Sequence, residues 1–207
     1  MTAPLTLHVL RHGEVFNPQR ILYGRLPGFK LSDVGRHQAI MAGRALVGKP
    51  LAAIYSSPME RAQETAQIVA QQHGGGLYVQ TDQRLNECHT PFDGTPHSVL
   101  ERTFFDIYTG NQPPHEIPRD LRLRALEFVA SMREEHAGQE IVVVTHGDIV
   151  VTLFMYAKQQ PDHDIGRGKL DALGLPEPYP ATASLSTFVF ETSDPDELPG
   201  YRYQRPY

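Results

Sequence analysis

Short apolar runs alternate along this chain with longer stretches whose apolar positions recur every three or four residues. The run LTLHVL, residues 5–10, reads as a strand, and LSDVGRHQAIMAGRALV as a helix with Ser32 as its N-cap. AAIYSS predicts a second strand. The segment SPMERAQETAQIVAQQHGGG predicts a helix, with Ser57 and Glu60 at capping-box spacing and Pro58 at the first helical position. GLYVQT reads as a third strand. Ser98 and Glu101 repeat the capping-box spacing before RTFFDIYTG, and Asp120 to His136 carries Leu123, Leu126, Val129 and Ala130 at helical spacing. EIVVVTHG is continuously apolar, as strands covered on both faces are. DIVVTLFMYA follows as a buried helix, and ASLSTFVFE as a last strand.

Strands alternating with helices predict an α/β protein, a three-layer α/β/α sandwich around a largely parallel sheet. Residues 159–180, rich in proline, glycine and charge, read as a loop. Residues 192–207 read as loosely held surface chain. At 207 residues the chain suits one domain over 1–207 with one sizeable core.

Composition narrows the function classes. A formal net charge of -5 argues against nucleic acid as a partner. Cys88 is the one cysteine, which excludes an intrachain disulfide and a cysteine metal cluster. The histidines other than His12 and His146 share no ligand spacing; the DHD run around His163 lies in a polar loop, so no metal and no cofactor is expected. No apolar run approaches the ~20 residues that span a bilayer, and the first residues lack a signal-peptide pattern. The expectation is a cytoplasmic protein with no membrane partner; oligomeric state is not legible.

Three predicted strand ends share a feature. HVLRHGEV places Arg11 and His12 just past one strand, VVVTHGDIV places His146 and Gly147 just past another, and IYSSPMERAQETA carries Arg61 in the helix after a third. In open α/β sheets ligands bind beyond the carboxyl ends of the strands. Two arginines, two histidines and the positive end of the helix after His146 suit a compact, multiply charged anion, and phosphate is the commonest. Glu14, beside Gly13, reads as a structural partner for a nearby cation. Arg20, Arg25 and Lys30, in the loop after the first motif, are candidates to meet a second anionic group, or surface charges.

LRHGE, SSPMERAQETA, LNE and VTHG stand in the order seen in the histidine phosphatase superfamily, the phosphoglycerate-mutase-like proteins, and the chain resembles that family from about Leu7 to Phe190. The resemblance implies a phosphohistidine mechanism. His12 matches the nucleophile, Arg11, Arg61 and His146 the rest of the phosphate pocket, and Glu87 the proton donor. Asn17, Gly24 and Gly147 join Arg11, His12, Arg61 and His146 as implied substrate-binding positions. Val15 departs from the family's usual threonine, and Asn17 stands about one residue early. A neutral imidazole is a competent nucleophile near neutral pH. Positioned cations stabilise the charge that develops on phosphorus oxygens. The expected activity is hydrolysis of a small phosphomonoester, without metal. Phosphoglycerate mutase-type transfer and a non-catalytic phospho-ligand binding module stay open as alternatives.

Overall fold

The computed structural model describes residues 4–74, 76–162 and 170–207. The strands are β1 (Leu5–Arg11), β2 (Leu51–Ser56), β3 (Val79–Thr81), β4 (Glu140–Thr145), β5 (Leu185–Phe190) and β6 (Gly200–Gln204). They form one sheet in the order β3-β2-β4-β1-β5-β6. β3, β2, β4 and β1 run parallel to their neighbours, whereas β5 and β6 pair antiparallel, so the sheet is mixed.

The helices are α1 (Asp33–Ala45), α2 (Glu60–Gln72), α3 (His97–Leu100), α4 (Pro118–Glu135) and α5 (Gly147–Ala157). Alternate residues of each central strand feed opposite faces. Leu7, Val9 and Val143 pack with Leu121, Phe128 and Leu153 of α4 and α5, while Leu10, Val142 and Val144 pack with Ala42, Ala66 and Val69 of α1 and α2. The result is the expected three-layer sandwich, and β4, with five buried residues, is covered on both faces. Ser32 caps α1 by accepting from the Gly35 amide at 3.0 Å.

Four local readings need correction. α2 starts at Glu60 rather than Pro58, and its N-cap is Met59 without a side-chain bond. Ser57 is drawn away to a histidine, and Glu60 accepts instead from the Gly28 amide. The RTFFDIYTG segment carries one 3-10 turn, Glu101–Thr103, and then breaks at Phe104 and Phe105, both at positive φ. On α4 the buried stripe is Leu121, Ala125, Phe128, Val129 and Met132; Leu123 and Ala130 are exposed. That places the core-facing side of the helix on a neighbouring stripe that shares Val129 with the expected one, while Leu126 packs against the core at its edge.

The C-terminal segment is also not loose chain. β6 pairs with β5, and its Tyr201 packs on Phe154 and Phe188. Before it, Arg133 of α4 donates to the Thr192 carbonyl at 3.0 Å and to Glu197 Oε2 at 3.1 Å. Alternating aromatic and polar residues in GYRYQ supply the strand pattern, but the acidic stretch before it masks the signal. Of the loop at 159–180, residues 163–169, with His163, lie outside the described residues. Among the described residues no helix is long and apolar enough to cross a membrane.

Candidate active site

The parallel order β2-β4-β1 sets the carboxyl ends of three neighbouring strands at one edge, so His12, Ser57 and His146 converge just beyond them. The backbone ties them there. The His12 amide donates to Thr145 O at 2.9 Å, and the Ser57 amide to Val144 O at 2.9 Å.

His12 is buried and its Nδ1 lies 2.8 Å from the Gly13 carbonyl. A carbonyl only accepts, so Nδ1 carries the proton and Nε2 keeps its lone pair. Burial, with Arg61 and Arg11 adding to it, pushes the imidazole well below the usual histidine range, so the ring is neutral.

Arg61 is 1% exposed. Its Nη2 donates to Gly24 O at 2.8 Å and to His146 Nδ1 at 3.0 Å, and its guanidinium lies 4.7 Å from the Tyr23 ring centre. Accepting at Nδ1 leaves His146 to donate from Nε2, which it does to Ser57 Oγ at 2.8 Å; Ser57 in turn donates to Asn86 Oδ1 at 3.2 Å. Burial first, then Arg61, keeps His146 well below its ordinary range, in agreement with a neutral ring.

Arg11 donates from Nη1 to Pro180 O at 2.7 Å and stacks 5.0 Å from the centre of the Tyr179 ring. The Tyr179 and Tyr108 hydroxyls both donate to Asp148 at the start of α5, Tyr108 at 2.6 Å. A side chain at Gly147 would strike Tyr179 Oη at 2.2 Å, so glycine is needed for that approach. The Nε–H groups of Arg11 and Arg61 are buried without a partner. Two such guanidinium donors near one imidazole have the chemistry to bind an oxyanion.

Glu87 reaches the same cluster. Its Oε1 accepts from the Cys88 amide at 3.0 Å, and its Oε2 stands 3.6 Å from Arg61 Nη2 and 3.4 Å from His146 Nδ1. Burial and the Asp148 charge raise its carboxyl above the usual range, outweighing the two arginines. The loop carrying it is clamped from below. Arg25 Nε donates to Glu87 O at 2.8 Å, Arg124 Nη1 to Asn86 O at 2.7 Å, and Glu116 accepts from both arginines.

His12, Glu87 and His146 place potential metal ligands within 4.8 Å of one another, the single such trio among the described residues. The Arg61 guanidinium already contacts two of the three, which makes the trio a poor cation site. Asn17 joins none of this: its amide donates to Ile21 O at 2.8 Å and accepts from the Ile21 amide at 3.3 Å, closing its own loop. Val15 is buried and bridges to Leu31. Among the described residues Glu14 pairs with the Ser32 hydroxyl, at 2.7 Å, rather than with a cation. Arg25 is committed to the Glu87 loop, whereas Arg20 and Lys30 form exposed pairs with Glu101 and Glu60, each at 3.8 Å.

Above the cluster lies a cavity of about 240 Å³, lined on the side of the two histidines by Arg11, Gly24, Glu87, Gly147 and Asp148. The positive end of α5 opens onto it. Sequence reasoning missed Tyr23, Tyr179, Asp148, Ser57 and Asn86. Ser57 and Asn86 stood within the second and third motifs and Asp148 directly after the last, whereas Tyr23 and Tyr179 carried no signal.

A model of the histidine phosphatase superfamily (branch 1) matches residues 7–177. Among curated relatives, an uncharacterised protein of Mycobacterium tuberculosis is 39% identical over 157 residues, covering 72% of this chain and 77% of the relative. A glucosyl-3-phosphoglycerate phosphatase of the same organism is 29% identical over 164 residues, covering 71% and 72%. Other relatives carry the name of phosphoglycerate mutases. The solved structure of Bacillus stearothermophilus YhfR is 32% identical, with a TM-score of 0.73 over 89% of this chain and 90% of its own.

Proposed function

Because the chain belongs to the histidine phosphatase superfamily, we propose that it hydrolyses a small phosphomonoester through a phosphohistidine on His12. The observation that carries this reading is the His12 tautomer: the Gly13 carbonyl holds Nδ1–H, with N···O 2.8 Å, which leaves Nε2 as the nucleophile near two arginines whose buried Nε–H groups are spare donors.

The chemistry runs in two displacements. His12 Nε2 forms a bond to phosphorus as the ester P–O bond breaks. Arg11 and Arg61 hold the equatorial oxygens as their charge grows, aided by the α5 amide end. Glu87, whose raised carboxyl is protonated more readily than an ordinary glutamate, gives its proton to the leaving oxygen. Water then attacks the phosphohistidine, Glu87 takes up a proton, and the N–P bond breaks to release phosphate. Every charge that develops has a fixed side-chain partner, so no metal is invoked.

Quenched turnover of p-nitrophenyl phosphate tests this reading. An adduct labile in acid and stable in base, absent from a folded His12→Ala protein, is expected, with turnover unchanged by chelator and inhibited by orthovanadate. An adduct that persists in His12→Ala, or activity that chelator removes and magnesium restores, overturns it. Phosphoryl return to a sugar acid, the mutase alternative, would show as a requirement for a bisphosphorylated activator.

A further inference from the structure

The catalytic side of the cavity accounts for the phosphoryl group, but not for its remaining walls. Those include Leu22, Thr90, His97, Phe105 and Ile107, with Tyr23, Cys88 and Tyr179 between the two sides. From this asymmetry we infer that the leaving group of the natural substrate is an uncharged alcohol or phenol with an apolar face, bearing neither a carboxylate nor a second phosphate. The inference rests on the phosphomonoesterase reading and narrows it.

Charge accounting supports it first. Recognition of a second anion needs a cation or unpaired donors aimed at it. Arg11 is the one arginine or lysine among the described residues lining this cavity, and the phosphoryl group claims it. Arg25 is locked between Glu116 and the Glu87 carbonyl, while Arg20 and Lys30 point to surface partners. Besides Arg11 and the His97 imidazole, the ionisable side chains lining the cavity are Glu87, the proposed acid, and Asp148, whose carboxylate repels a second anion in a partly desolvated space.

The wall itself supports it next. Ile107 is buried, and Phe105 packs against the main core beside the His97 ring, 5.5 Å away edge-on. The Thr90 hydroxyl is spent on the Ile107 carbonyl at 3.1 Å. Leu22 is fixed through its backbone to Thr95 and Gly94, at 2.8 and 2.7 Å. Phe104 and Phe105 adopt φ of 52° and 58°, a left-handed conformation that bulky side chains rarely occupy. The chain accepts that conformation where it turns Phe105 onto the cavity. Apolar and aromatic walls with few polar points are how proteins hold uncharged ligand surface.

The test compares butyl phosphate with 4-phosphooxybutanoate, which replaces a terminal methyl by a carboxylate on the same chain. Dissociation constants are measured on His12→Ala protein, and kcat/KM on the unaltered enzyme. A preference for the butyl ester of about tenfold or more is expected, the scale a shaped apolar pocket delivers. Equal or tighter binding of the carboxylate ester overturns the inference. Turnover of p-nitrophenyl phosphate reports separately on the phosphatase reading, and the binding comparison decides the leaving-group class even without it. Phe105→Ala is expected to lower kcat/KM on 3-phenylpropyl phosphate by a larger factor than on methyl phosphate, whose leaving group is too small to reach the wall. Equal loss on both also overturns the inference.

Discussion

Arg61 donates from Nη2 to Nδ1 of His146 across 3.0 Å, with both side chains buried at the carboxyl edge of the sheet. This bond fixes the His146 tautomer, sends its other proton to Ser57, and leaves Arg61 Nε free for a ligand. The two residues, 85 positions apart, are therefore one unit of the candidate phosphate pocket.

Arg61→Lys keeps the charge but cannot both hold His146 and present a planar fork. A loss of kcat of about 10²–10³-fold is expected, the cost of removing one transition-state donor. The far-ultraviolet circular dichroism should stay native. A loss under tenfold would remove Arg61 from the phosphate pocket.

Glu87→Gln separates proton donation from binding. An alkyl phosphate releases a basic alkoxide that needs a proton, whereas nitrophenolate does not. The variant is expected to lose about 10²–10⁴-fold on an alkyl ester and far less on p-nitrophenyl phosphate, read as kcat/KM for each. Equal losses would send the search for the acid elsewhere.

The same variant reports on the Glu87 carboxyl without any substrate. Its folded pKa is raised, so between the unfolded value of about 4.3 and the folded value the native state binds more protons than the unfolded chain. Native stability from this group is therefore present at low pH and lost as pH rises through the folded pKa. Glutamine does not titrate, so the melting temperature of Glu87→Gln relative to the parent should increase from pH 4.5 towards pH 8. A constant difference across that range would contradict a raised carboxyl.

Glu116 is a positioning residue for Glu87. It binds Arg124 Nε at 2.7 Å, Arg25 Nη2 at 3.0 Å and the His89 amide at 2.7 Å. Burial alone would raise its carboxyl, but the Arg124 hydrogen bonds and charge outweigh that and hold it below the usual range. Glu116→Gln is expected to cost roughly 1.5–3 kcal/mol in urea denaturation, the scale of charge-assisted hydrogen bonds. Because it acts through Glu87, its kcat loss should be larger on alkyl than on nitrophenyl esters, with KM little changed. A loss independent of the leaving group would make Glu116 merely structural.

Strand ends were the most legible part of this chain. Arg11, His12 and His146 sit where apolar runs stop, and a parallel sheet necessarily brings such stops to one edge, so their convergence follows from pattern alone. Ser57 was hidden because a serine before proline and three residues ahead of glutamate satisfies the rule for a helix cap, while tertiary contact with His146 outbids that local role. Leu123 was misplaced because α4 carries apolar residues on two adjacent stripes, and only packing selects Phe128 and Met132 over it. Tyr179 and Tyr23 come from irregular loops, where no periodicity announces which side chain turns inward. The β6 strand was obscured by the acidic residues leading into it.

The pairing of β1 with β4 joins Thr6 to Glu140 and Arg11 to Thr145, with most of the chain between them. A contact of such long sequence separation forms slowly and late. During synthesis β1 emerges first and waits unpaired until β4 has been made, and its other flank waits longer still for β5. The amide of His12 has no Thr145 carbonyl to hold it, and Arg61 no His146, until that moment. The nascent chain thus carries His12, the proposed nucleophile, early and completes its surroundings late, so on the proposed mechanism reactivity arises only as the sheet closes.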